Sequence, residues 1–131
     1  MKRTAGVFAF AAVLLTGGIA RAHHSYADFL DSTVTIQGSL DRVEFKNPHT
    51  ILTIRAADGI YTAIWNAAFQ LQSMGVRPTD LKVGDVVVLT GYPSRDSEAH
   101  EMAKLRKVRR PSDGWTWQMI NGQATVGHLS E

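Results

Sequence analysis

The sequence predicts a mainly β fold: a five-stranded OB-like barrel with a short helix between strands three and four, and a hairpin-like appendage at the C-terminus. Three observations carry this. The first strand is long and changes phase beside a glycine. A helical period interrupts the strand pattern once, after the third strand. Two further strands then follow, which is the element order of the OB barrel.

The elements follow in order. Residues 33–45 read as the first strand, with Val34, Ile36 and Leu40 on one face through Gly38. Val43 and Phe45 take the opposite parity, so a bulge or sharp coil is expected near Gly38. Asn47-Pro48 signals a turn. Residues 50–56 form the second strand, with Leu52 and Ile54 inward, and Asp58-Gly59 is a two-residue hairpin signal leading to the third strand at 60–65. Ala67, Leu71 and Met74 then recur at helical spacing, with Asn66 as the expected N-cap and Gly75 as the C-terminal stop. Leu81 and Val83 are expected to plug the core from the loop before Gly84-Asp85. Residues 86–92 and 102–109 are strands four and five, with Val86 and Val88 expected inward and Leu105 beside them. In the last stretch Asn121-Gly122 marks another hairpin, preceded by Trp115, Trp117 and Ile120. It reads as a flap packed on the barrel, with a ligand lid as the alternative.

The N-terminus reads as an export signal. Lys2 and Arg3 precede an apolar run at 7–15, and Ala20-Arg21-Ala22 places small residues at the two positions a signal peptidase reads. The run is too short to span a bilayer, which takes about 20 residues. The expected organisation is a signal peptide at 1–22, an arm at 23–32, the barrel at 33–112 and the appendage at 113–131. The expected location is the periplasm, and the mature protein is not membrane-spanning.

Charge narrows the partners. The chain has 14 Lys and Arg against 12 Asp and Glu, a net charge of +2. Lys2, Arg3 and Arg21 leave with the signal, so eleven basic residues face twelve acidic ones and the net charge becomes −1. A nucleic-acid binder is expected to be basic, so nucleic acid is excluded as a partner. There are no cysteines, so packing alone holds the domain together.

Cleavage after Ala22 would make His23 the first residue. A free amine and its own imidazole close one chelate ring, and nitrogen donors without thiolate favour Cu(II) in the Irving–Williams order. His24 and His49 are the candidate further ligands, making copper the one cofactor the sequence suggests. The competing reading makes His23 a solvated terminus and His49 a strand-edge residue. His100, between Glu98 and Glu101, reads as solvated, and His128 as uninvolved.

A second candidate surface combines Tyr61 and Trp65 with the basic run 104–110, on which Lys104, Arg106 and Arg110 could share a face. It would contact a periplasmic protein, an acidic glycan or a lipid head group. The competing reading is a solvated edge strand guarded by charge. Asn47 joins the binding candidates beside His49. No nucleophile–base pair and no glycine-rich phosphate loop is present. The chain therefore reads as a binding module, not an enzyme, with a copper-dependent oxidase or oxygenase as a further alternative.

The motifs His23-His24-Ser25-Tyr26 and Asn47-Pro48-His49, with Trp65, Leu81, Gly84-Asp85 and Gly91, resemble a family of small exported bacterial proteins of unknown function. The resemblance spans about residues 22–114. It implies the barrel and the periplasm, and no established activity. Members often carry a glutamate just after the strand-three tryptophan. This chain has Asn66-Ala67-Ala68 there, so no role for that acid carries over.

Overall fold

The computed structural model describes residues 26–130. It holds a closed five-stranded barrel with two further strands and one short helix, and the helix lies between strands three and four.

Strand β1 (Val34–Glu44) is long enough to serve two neighbours. Its first half pairs antiparallel with β4 (Val86–Pro93), from Val34 opposite Gly91 to Ser39 opposite Val86. Its second half pairs with β2 (Ile51–Ala56), from Gly38 opposite Ala56 to Glu44 opposite Ile51. The expected irregularity is present, but the register shifts between Leu40 and Arg42, not at Gly38. Gly38 has a different task. A Cβ there would run into the Arg55 carbonyl and the Ile54 side chain, so its bare backbone lets β1 and β2 approach where β1 is shared.

The β2–β3 hairpin turns one residue earlier than expected. Ala56 pairs with Gly59, so Ala57 and Asp58 are the turn, and Gly59 opens β3 (Gly59–Ile64). Gly59 is required there because its φ is +146° and a Cβ would lie 2.6 Å from the ring of His100.

Helix α1 (Ala68–Ser73) is capped by Ala67, not Asn66. Ala67 offers no side-chain acceptor, so other residues take the orphan N–H groups of the first turn. The Ala67 N–H donates to Gln70 Oε1 at 3.2 Å, and the Phe69 N–H donates to Asn47 Oδ1 at 3.2 Å. At the other end Gly75 (φ +97°) closes a Schellman motif: the Val76 N–H reaches the Leu71 carbonyl at 2.9 Å and the Gly75 N–H reaches Gln72 at 3.0 Å.

The parity expected for β4 is reversed. Val87 and Leu89 are fully buried, whereas Val86 is 46% exposed and Val88 half-buried. Four consecutive apolar residues carry no alternation, so the register is set from outside. The Gly84 N–H donates to the Leu40 carbonyl and the Leu40 N–H donates to the Asp85 carbonyl, both at 2.8 Å, and this clamp fixes which valines turn inward. Leu81 plugs the core as expected, while Val83 is exposed. Val34 is exposed too, at the open end of β1.

Strand β5 (Glu101–Arg110) closes the barrel. It pairs antiparallel with β4 and parallel with β3, at Thr62–Glu101 and Ala63–Met102. Its ladder with β4 shifts register between Thr90 and Tyr92. Lys104, with φ of 48°, lies within that irregularity. Beyond β5 the sheet continues into β6 (Trp115–Ile120) and β7 (Gln123–His128), joined by the Asn121-Gly122 turn, both residues having positive φ. This hairpin packs on the barrel and also completes its core: Trp115 and Trp117 are buried with Leu40, Leu52, Ile54, Trp65 and Leu71.

Candidate ligand-binding cavity

A cavity of about 390 Å³ opens at the end of the barrel where β3 finishes and β5 begins. Three pieces of chain converge on it: the arm before β1, the Asn-Pro-His turn before β2, and the irregular stretch of β5.

The arm contributes first. Tyr26–Asp28 makes one 3₁₀ turn, and Phe29 is buried against Ile64 and Ala103. Backbone bonds hold it in place: the Leu30 N–H donates to the Pro93 carbonyl at 2.9 Å and the Arg95 N–H to the Asp28 carbonyl at 2.8 Å. The Arg95 side chain adds a bond to the Ala27 carbonyl at 2.8 Å. Tyr26 and Phe29 therefore form part of the cavity wall.

His49, Trp65, Lys104 and Arg106, expected from sequence as site residues, all line this one cavity. The sequence assigns them to two separate surfaces, and the structure joins them in one. Trp65 is 2% exposed, and its indole N–H is buried without a hydrogen-bond partner. Lys104 Nζ stands 3.8 Å above the centre of the Tyr26 ring, a cation–π contact. Arg106 donates to the Met119 carbonyl at 3.3 Å. Among the lining residues there is no aspartate or glutamate.

Asn47 and Tyr61 are not among the lining residues. Asn47 caps α1 from a distance and so supports the turn that presents His49. The Tyr61 hydroxyl donates to Asp58 at 2.7 Å, and its ring stacks on His100 at 4.7 Å between centroids. That donated bond holds the Asp58 carboxyl below its ordinary range and raises the Tyr61 phenol above its own. His100 is half-buried under this stack, not solvated as expected.

The basic run does not form one strip. Arg110 faces away from the cavity and joins the loops at the far side of β5, bonding Asp85 at 2.9 Å, Asp113 at 2.8 Å and the Asp80 carbonyl. His128 lies 3.4 Å from Asp113 in the same region. The sequence reading missed Tyr26, Phe29, Gln70 and Met119 as lining residues. The aromatics Tyr26 and Phe29 flanking the His-His-Ser motif were the available signal, because an arm that anchors through aromatics must bury them somewhere.

The histidines at 23 and 24 lie outside the described residues. Among the described residues no group of three or more His, Cys, Asp or Glu side chains is placed to hold a metal ion. No helix among them is long and apolar enough to cross a membrane.

The sequence profile of a family of unknown function, DUF6152, matches residues 12–104. The chain belongs to DUF6152. The match runs from the apolar N-terminal stretch through β1–β4 into the first part of β5, so it includes His49, Trp65 and Lys104, while Arg106 and the β6–β7 hairpin lie beyond it. No curated protein matches the chain.

Proposed function

We propose that this DUF6152 protein is exported to the periplasm and works there as an OB-like binding module that holds Cu(II) at the mouth of the cavity. The signal peptide would be removed after Ala22, and the ligands would be the His23 amine, the His23 ring and the ring of His49 or His24. The observation that supports this reading is that Tyr26 and His49 line one cavity. Residue 23 is three positions before Tyr26, a span of at most about 10 Å of extended chain, so cleavage after Ala22 would leave the new N-terminus a short length of chain from the cavity that His49 lines. Nitrogen-only donors then favour Cu(II) over the other first-row divalent ions.

The test is a Cu(II) competition titration on protein processed to begin at His23, beside protein carrying one extra residue before it. The expected result is one tight equivalent in the processed chain and marked weakening in the extended one. Equal affinity in the two proteins overturns the N-terminal site. N-terminal sequencing of protein recovered from the periplasm, beginning at His23, checks the cleavage.

A further inference from the structure

We propose that the cavity binds a small amphipathic anion: a carboxylate head on a compact apolar body. The proposal rests on this cavity being the ligand site, but it needs neither copper nor the histidines before Tyr26.

The size is right, since ligand pockets run from about 300 to 1,000 Å³, and this one is about 390 Å³. Its inner surface is apolar: Phe29, Ile64, Ala103 and Leu105 are all buried. Water is poorly accommodated against such walls, while the apolar part of a ligand is well accommodated.

Charge then selects the head group. Lys104 and Arg106 both line the cavity, and no acidic residue does. Several cations elsewhere are matched, although among the described residues Lys82, Arg95 and Lys107 form no ion pair. Arg55 pairs with Asp41, Arg42 and Lys46 with Glu44, Arg77 with Asp80, and Arg110 with Asp85 and Asp113. Among the described residues Lys104 has a tyrosine face for a neighbour, and Arg106 uses one donor on a carbonyl. A guanidinium has five N–H donors in a fork that fits a carboxylate, so Arg106 retains donors for a ligand. What sets Lys104 and Arg106 apart is their place: both stand at an apolar cavity and, among the described residues, have no ion-pair partner. The nearby acid Asp31 lines the adjoining depression and not the cavity, so an anion is the ligand this wall favours.

A third observation is independent of charge. Buried polar groups in folded proteins are nearly always hydrogen-bonded. Trp65 belongs to the cavity wall and is almost fully buried, and its indole N–H has no partner, as is also true of Trp117, which does not line the cavity. The Trp65 N–H has almost no accessible surface, so the indole would have to shift on ligand binding to meet an acceptor oxygen. The irregularity in β5 fits the same purpose. The positive φ of Lys104 is unusual for a residue with a side chain, and it places an exposed lysine between buried Ala103 and buried Leu105.

The probe is 2-naphthoate, with 2-naphthamide as its uncharged counterpart, titrated calorimetrically into the full processed chain after metal removal by EDTA. One naphthoate per chain is expected, with the amide weaker by about tenfold or more, because ionic hydrogen bonds are roughly twice as strong as neutral ones. Lys104→Gln and Arg106→Gln should each weaken naphthoate while Lys82→Gln leaves it unchanged. In NMR spectra the Trp65 indole N–H should move on ligand addition, more than those of Trp115 and Trp117; this readout needs no variant that might misfold. Equal binding of amide and naphthoate, an unmoved Trp65 indole, or unchanged binding in both cavity variants would each overturn the proposal. So would sedimentation with phosphatidylglycerol vesicles, lost in Lys104→Gln, in a protein that ignores naphthoate; that result would assign the cations to a membrane surface. Failure of copper binding with naphthoate retained would remove the metal reading alone.

Discussion

The rings of Trp65 and Trp117 meet edge to face, 5.1 Å apart between centroids and 75° between planes. One belongs to the chain leaving β3 and the other to the C-terminal hairpin, so the pair fastens the hairpin to the barrel at the wall of the cavity. Edge-to-face pairs add about 0.5–1.5 kcal/mol beyond the area they bury. Trp117→Ala should therefore cost about 3–5 kcal/mol, the usual range for a buried tryptophan, read as a lower urea midpoint with an unchanged slope. Trp117→Phe should lose much less. A Trp117→Ala protein with wild-type stability would show that the hairpin is dispensable to the core.

The inward face of β4 can be tested with two neighbouring substitutions. Val87 is fully buried and Val88 is not. Val87→Asp would strand a charge among Leu40 and Leu52, at a cost of several kcal/mol against a total stability of about 5–15. That protein should be insoluble or degraded, while Val88→Asp should be recovered folded with a modestly lower Tm. Ile54→Asp should behave like Val87→Asp.

Acid should weaken the contact between β5 and the hairpin. The bond from Arg110 holds the Asp113 carboxyl well below the ordinary carboxylate range, and the Trp115 N–H reinforces it. A carboxyl with a lowered folded value stabilises the fold above its unfolded value, about 3.9, and that contribution is lost as pH falls through the folded value. Asp113→Asn removes it at every pH. The Tm difference between wild type and Asp113→Asn should be widest near neutral pH and should shrink below about pH 4. A difference constant from pH 7 to pH 2 would exclude Asp113 as the titrating group.

Under the copper reading, His49 and His128 should behave differently. His49 lines the cavity; His128 lies beside Asp113 in another part of the molecule. His49→Ala should weaken Cu(II) binding by the processed protein, and His128→Ala should leave it unchanged. The reverse order, measured by competition with a chromophoric chelator, would move the metal to the β7 end.

The barrel was legible in the sequence because its signals are local and physically distinct. The Gly75 stop produces a full Schellman motif, and Asn121-Gly122 makes the turn expected of it. The inward positions Leu52 and Ile54 follow from simple alternation. Errors arose where the deciding contact is distant. Val86 to Leu89 carries no alternation, and Leu40 on another strand fixes its phase. Asn66 fits the cap preference, yet Asn47, 22 positions before Phe69, accepts the Phe69 N–H, and the Lys46 carbonyl accepts that of Ala68. Within the site, His49, Trp65, Lys104 and Arg106 were legible as residue types worth noting, but their convergence was not. It depends on the β5 irregularity and on an arm pinned by Arg95, neither of which has a sequence signature. Tyr61 fits an aromatic binding face equally well on paper; Asp58 and His100 occupy it instead.

The parallel seam between β3 and β5 has a consequence for the order of folding. It rests on two residue pairs, Thr62–Glu101 and Ala63–Met102, and on the Thr62 N–H bond to the His100 carbonyl at 2.9 Å. Every other pairing around the barrel is antiparallel, and the β2–β3 hairpin is local enough to form early. The seam joins positions separated by all of α1 and β4, so loop entropy delays it. In a pulsed hydrogen-exchange experiment the Thr62 amide should gain protection after the amides of the β2–β3 hairpin; simultaneous protection would contradict this order. Ile64 and Ala103, on either side of the seam, become cavity wall only when it shuts. Under this order the cavity wall would be completed after the β2–β3 hairpin, and a ligand could reward the closed seam but could not template that hairpin.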